Sequence, residues 1–140
     1  MLKYDDGKIM NCKRNSLFIP VLIDFWSSWC FPCGGSHPHL KEVYNKYKDK
    51  GFEIVGVAME SATDLEKAKV TWKKAVKDDG IDWIQVLAND GVASFDPIKA
   101  FGMGMFPTKI LLNKDGTELA RYRGTSSEEF DKKMKEVFKF

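Results

Sequence analysis

Apolar positions along the chain fall into short unbroken runs that alternate with helical stripes. Residues 19–26 form a near-continuous apolar run with β-branched members, which predicts a central strand buried on both faces. A helix is expected from about Cys33, because Leu40, Val43, Tyr44 and Tyr47 share one face at helical spacing. Pro38 lies inside it and is expected to kink it, since it removes one backbone donor. Gly51 then suits a left-handed cap. Residues 52–59 read as the next strand. Thr63 and Glu66 make a capping-box pattern ahead of an amphipathic helix carried by Leu65, Ala68, Trp72, Ala75 and Val76, which Gly80 ends. Residues 83–87 give a short strand, and Asp96–Pro97 opens a short helix that runs to Phe101. A loop covers residues 102–106. Strands at 108–113 and 117–123 are joined across Asp115–Gly116, a strong hairpin signal. Ser126 and Glu129 form a second capping box, and Phe130, Met134, Val137 and Phe138 supply the last helix's buried face.

Strands alternating with amphipathic helices indicate an α/β layer fold, with the late hairpin as antiparallel edge strands on a mostly parallel sheet. The 140 residues fit one domain, taken as 1–140, with no repeat, low-complexity tract or linker. An apolar share of 44% is enough for one core without a disulfide framework. Acids and bases are mixed along the chain and sum to +2, with no basic stripe of the kind a nucleic-acid binder shows. No apolar run reaches the ~18 residues that a membrane span needs. The longest, 16–25, is short and interrupted by Asp24. No signal peptide is visible at the start, and a segment of a longer exported protein would read the same way.

Cysteine changes the picture most. There are three, Cys12, Cys30 and Cys33. An odd count is a poor structural framework, and Cys30 and Cys33 are too close in sequence to staple distant parts of a fold. The pair therefore reads as chemical and Cys12 as a small buried or edge residue. The segment Trp29-Cys30-Phe31-Pro32-Cys33 stands where a buried strand gives way to a helix. A free thiol titrates near ~8.5, so attack at neutral pH needs help, and the donors and dipole at a helix N-terminus supply it. Cys30 should be the more exposed thiol and the nucleophile. Cys33, one turn in, should be the resolving thiol. The competing reading is half a zinc site made with His37, but a closed site usually takes four ligands and no second pair follows. His37 and His39 read as solvated helix residues, and no metal or other cofactor is expected beyond a redox-active Cys30–Cys33 disulfide.

Residues 21–33 resemble the active-site segment of thioredoxins and of TlpA/ResA-like thiol–disulfide oxidoreductases, and the likeness continues through Pro38 to Phe106-Pro107-Thr108. It covers nearly the whole chain in element order. The resemblance implies a thioredoxin-like fold in which Pro107 is a cis-proline facing the cysteine pair. A cis bond is tolerable essentially only before proline, and such a bend places the Phe106 backbone to pair with an extended substrate. Residues 60–101 are longer than in a minimal thioredoxin and imply the inserted helix and strand of the TlpA/ResA-like group. That group commonly works outside the cytoplasm, so the periplasm or cell envelope is expected, with the cytoplasm as the alternative.

Asp24 interrupts an apolar strand six residues before Cys30. A buried carboxylate is costly unless paired or protonated, and burial raises its pKa towards the range of a proton carrier. Resemblance to thioredoxin implies that Asp24 takes the proton of Cys33; the alternative is a solvated strand-end acid or a cap. The chain departs from the group it resembles at Ser36, where TlpA/ResA-like proteins often carry glutamate. It also departs at Phe31 and Phe106, which are bulkier than usual. With Trp29 and Pro32 these two suggest an apolar docking rim for protein or peptide disulfides, although core packing is an equal reading for Phe106.

The expected function is reduction of protein disulfides, with an upstream thiol reductant as second partner, because proline between the cysteines resembles the reducing members. A thiol peroxidase is the weaker enzyme reading: Ser27 stands three before Cys30, but Ile23 occupies the place of the proline in that pattern. A non-catalytic binding module on the same fold is the third.

Overall fold

A computed structural model of the chain describes residues 2–3, 9–10, 20–61, 63–90, 96–113, 115–125 and 127–138. Cys12 lies outside them, as does Ser126 of the second capping box. Strands β1 (Leu2–Lys3) and β2 (Ile9–Met10) pair antiparallel, an element the hydrophobic pattern does not announce. The remaining elements are β3 (Val21–Trp26), α1 (Phe31–Tyr47), β4 (Glu53–Ala58), α2 (Leu65–Asp78), β5 (Ile84–Leu87), α3 (Pro97–Phe101), β6 (Thr108–Leu112), β7 (Glu118–Arg123) and α4 (Glu128–Phe138).

The main sheet has the order β5-β4-β3-β6-β7. β3 pairs parallel with β4 and antiparallel with β6, so it is the central strand. The hairpin thus supplies one interior strand, β6, and one edge, β7, rather than two edges, and the sheet is as antiparallel as it is parallel. This is the thioredoxin-like architecture that the resemblance implies. The stretch read as an insertion carries α2, β5 and α3.

Every side chain of β3 is buried, and they alternate between two cores, as a strand's period of two requires. Val21, Ile23 and Phe25 join Val55, Val57 and Ile110 on one face, where Phe101 of α3 packs. Leu22 faces Leu40 and Val43 of α1 and Phe130 and Met134 of α4 on the other. Trp26, also on that second face, meets Cys33 of α1 and Ala68 and Trp72 of α2. Asp24 falls by the same alternation on the second face, beneath α1.

Helix α1 starts two residues earlier than the apolar stripe suggests, with Cys30 as its N-cap and Pro32 in its first turn, where a missing N–H costs nothing. It runs unbroken through Pro38, beyond which a short 3-10 turn ends at Gly51 with φ 98°. Helix α2 is capped by Asp64, not Thr63: the Asp64 carboxylate accepts the Glu66 N–H at 3.0 Å.

Candidate active site

Cys30 and Cys33 form a disulfide with their Cα atoms 5.3 Å apart. The extended conformation of Cys30 (φ −89°, ψ 101°) turns the chain from β3 into α1 and lets its Sγ accept the Cys33 N–H at 3.3 Å. A charge on this sulfur would be met by this first-turn N–H, which it shares with the Cys30 carbonyl at 3.1 Å, and by the positive end of the helix. Cys30 is 6% exposed and Cys33 0%, so the outer and inner thiols fall in the order expected. Cys30 reaches solvent through a cleft of about 370 Å³, which it lines with Ser28, Phe31, Gly34 and, from the end of α2, Asp78 and Asp79.

The loop that delivers Cys30 is held by Glu60, a residue the sequence reading passed over. Its carboxylate is buried just beyond β4 and accepts the Ser28 N–H at 2.9 Å, the Ser27 hydroxyl at 3.3 Å, the Ser28 hydroxyl, and the Thr71 hydroxyl of α2 at 3.0 Å. Asn89 in turn fixes the Glu60 backbone, accepting its N–H at 2.8 Å and donating to its carbonyl at 2.9 Å. Ser27 is therefore a buried structural hydroxyl.

The Phe106–Pro107 peptide bond is cis. The Thr108 hydroxyl donates to the Met105 carbonyl at 2.6 Å, and the Gly124 N–H donates to the Pro107 carbonyl at 3.0 Å, so both sides of this turn are tied down. Phe106 is half-buried; it packs against both neighbouring cores and meets the Trp29 ring edge-on at 5.6 Å. It thus packs into the core and against an exposed ring at once. Trp29 is 56% exposed, Phe31 is 92% exposed, and Met105, which the sequence reading did not single out and which directly precedes Phe106, is exposed as well. Pro32 lies on the surface within the first turn of α1.

Asp24 is fully buried and has two neighbours able to carry positive charge. Lys109 Nζ, from β6, lies 3.5 Å from its Oδ1, and His37 Nε2 lies 3.6 Å from its Oδ2. His37 is 1% exposed and is not the solvated residue expected. Its Nδ1 and Asp79 Oδ2 share a hydrogen bond at 2.7 Å, and its ring stands edge-on to Trp26 at 4.9 Å. Desolvation by burial lowers the pKa of His37, but Asp24 and Asp79 together outweigh it and leave that pKa above the ordinary 6.5. The signal for His37 was present: the stripe Leu40–Val43–Tyr47, extended back at helical spacing, lands on Cys33 and His37. His39 points elsewhere, to Asp131 of α4 at 2.9 Å, and is half-exposed. Among the described residues no cluster of His, Cys, Asp and Glu could hold a metal ion.

A thioredoxin-like family model matches residues 19–118. Among curated proteins, the thiol-disulfide oxidoreductase ResA of Bacillus anthracis is 32% identical over 109 residues, covering 78% of this chain and 57% of that protein. ResA of Bacillus subtilis is 28% identical over 108 residues, 77% of this chain and 55% of that protein. The chain thus spans less than two thirds of the length of these relatives. Among solved structures, the thioredoxin domain of a thiol-disulfide oxidoreductase from Bacteroides vulgatus superposes with a TM-score of 0.77 at 30% identity, covering 94% of this chain and 89% of that one. A thiol:disulfide interchange protein from Bacteroides sp. gives 0.75 at 32% identity, covering 99% and 83%.

Proposed function

The chain belongs to the thioredoxin-like family, and on that premise we propose that it is a thiol–disulfide oxidoreductase that reduces protein disulfides through Cys30 and Cys33. The observation that carries this reading is the helix-capping position of Cys30: its sulfur accepts an N–H of the first turn and opens on a cleft, while Cys33 waits one turn inside.

In the reduced protein, Cys30 thiolate attacks a substrate disulfide, and one substrate thiolate leaves. Cys33 then gives up its proton and attacks Cys30 Sγ. The bond between Cys30 and substrate breaks, the second substrate thiolate leaves, and the Cys30–Cys33 disulfide seen in the structure forms. An upstream dithiol returns two electrons and two protons. We assign Asp24 as the acceptor of the Cys33 proton, supported by its full burial on the strand that leads to Cys30. Trp29, Phe31, Pro32 and Phe106 form the apolar docking rim, supported by the exposure of Trp29 and Phe31, and the Phe106–Pro107 turn is the edge against which an extended substrate lies. No metal or organic cofactor takes part. Likeness to the ResA-named oxidoreductases favours work outside the cytoplasm, in the cell envelope.

Insulin reduction with dithiothreitol tests the reading. Wild type should accelerate precipitation of the B chain and Cys30→Ser should not. Cys33→Ser should accumulate mixed disulfides on Cys30, visible as mass adducts. Equal rates for wild type and Cys30→Ser would make the chain a binding module.

A further inference from the structure

Asp24 has no direct route to solvent: it is fully buried, and Lys109, also buried, closes one side of it. A carboxylate that receives a proton in each turnover must also lose it. We propose that His37 and Asp79 are positioning residues that carry this proton between Asp24 and the Cys30 cleft, so that the dithiol exchanges its proton with solvent through Asp24–His37–Asp79. The proposal rests on the assignment of Asp24 as the acceptor for Cys33.

Three elements build the path. β3 gives Asp24, α1 gives His37 one turn beyond Cys33, and the C-cap of α2 gives Asp79. His37 Nε2 faces Asp24 Oδ2 at 3.6 Å, and Nδ1 bonds Asp79 Oδ2 at 2.7 Å, so the ring's two nitrogens address two different carboxylates. Both Asp24 oxygens and His37 Nε2 are buried without a hydrogen-bond partner among the described residues, so each is the nearest polar group left for the other to exchange a proton with. Asp79 is half-exposed and lines the same cleft as Cys30. Its Oδ2 lies 3.6 Å from where a Cβ on Gly34 would stand, against the first turn of α1. The other charged groups nearby are Lys109, which holds the far side of Asp24 and donates to Ser36 at 3.3 Å, Lys41 of α1, which reaches Gly80 next to Asp79, and Asp78, which lines the same cleft and pairs with Lys74 on α2.

The proton balance is simple. When Cys33 attacks, its proton goes to Asp24. Neutral His37, with its hydrogen on Nδ1, takes that proton on Nε2 and becomes imidazolium. The Nδ1 proton passes to Asp79 and then to cleft water. When the disulfide is reduced again, Asp79 returns a proton to Nδ1, Nε2 gives its own back to Asp24, and Cys33 is reprotonated. Both half-cycles use one path in opposite directions, and the ring ends where it began. A protonated His37 blocks export, so the resolving step should slow as pH falls through the His37 titration, which lies above 6.5.

The experiment measures oxidation of the reduced protein by a disulfide peptide in stopped flow from about pH 5 to 9, beside NMR titration of the His37 ring. Wild type should show a rate limb that coincides with the ring's titration. His37→Gln should lose the limb and run at least about tenfold slower above it. Asp79→Asn, at a half-exposed position that should not disturb folding, should move both the limb and the ring titration to lower pH. If His37→Gln does not fold, Asp79→Asn alone decides: an unmoved limb overturns the relay. An Asp24→Asn profile identical to wild type removes the Asp24 assignment and the relay with it. A slow Asp24→Asn beside wild-type profiles for His37→Gln and Asp79→Asn overturns the relay alone.

Discussion

Asp24 and Lys109 are register partners across β3 and β6, and the Lys109 ammonium stands 3.5 Å from Asp24 Oδ1 with both side chains buried. Burying two charges is costly, and removing one leaves the other without compensation. Lys109→Met should therefore lower stability by about 3 kcal/mol, and Asp24→Asn combined with it should recover part of that loss. Urea denaturation of the oxidised single and double variants measures this. Additive losses would show that the pair does not interact.

The raised pKa of His37 fixes the sign of a pH effect. The folded state prefers the cation more than the unfolded state does, so this contribution is complete below about 6.5 and is lost as pH rises through the folded pKa. Stability of the oxidised protein, in which neither paired thiol titrates, should fall as pH rises from about 6.5 through the His37 titration. His37→Gln should flatten that slope. Denaturation midpoints at several pH values check it.

Glu60 ties the loop before Cys30 to α2 through four hydrogen bonds on one buried carboxylate. Glu60→Ala leaves the Ser27 and Ser28 donors without this acceptor, while the Thr71 hydroxyl can turn to the Ala68 carbonyl, and should cost about 2 kcal/mol. Because the loop then no longer fixes Cys30, insulin reduction should drop by about tenfold, a typical penalty for lost positioning. A destabilised variant with full activity would separate the loop from the chemistry.

Phe31 touches little and is 92% exposed, so Phe31→Ala should leave the melting temperature within experimental error. If the rim docks polypeptide, KM for a protein disulfide should rise several-fold in Phe31→Ala and Trp29→Ala, while the rate with a small disulfide should hold. Equal effects on both substrates would argue against docking.

The sequence by itself determined the order of elements from β3 onward, the central buried strand, the place of the cysteine pair at a strand-to-helix turn and the resemblance, because these depend on local spacing and on residue types with few alternative uses. Where local signals competed, it gave the wrong cap: Thr63 and Asp64 are both good caps, and the choice depends on where the backbone leaves the extended region. Tertiary structure alone decided who surrounds Asp24. Lys109 reaches it only because β6 pairs with β3 in one register, and Asp79 meets His37 only because α2 ends beside the start of α1. Hydropathy reads histidine and lysine as surface residues. Burial of both follows from carboxylates 85 and 42 residues away in the chain, Asp24 for Lys109 and Asp79 for His37, and no local pattern encodes a charge pair at that separation.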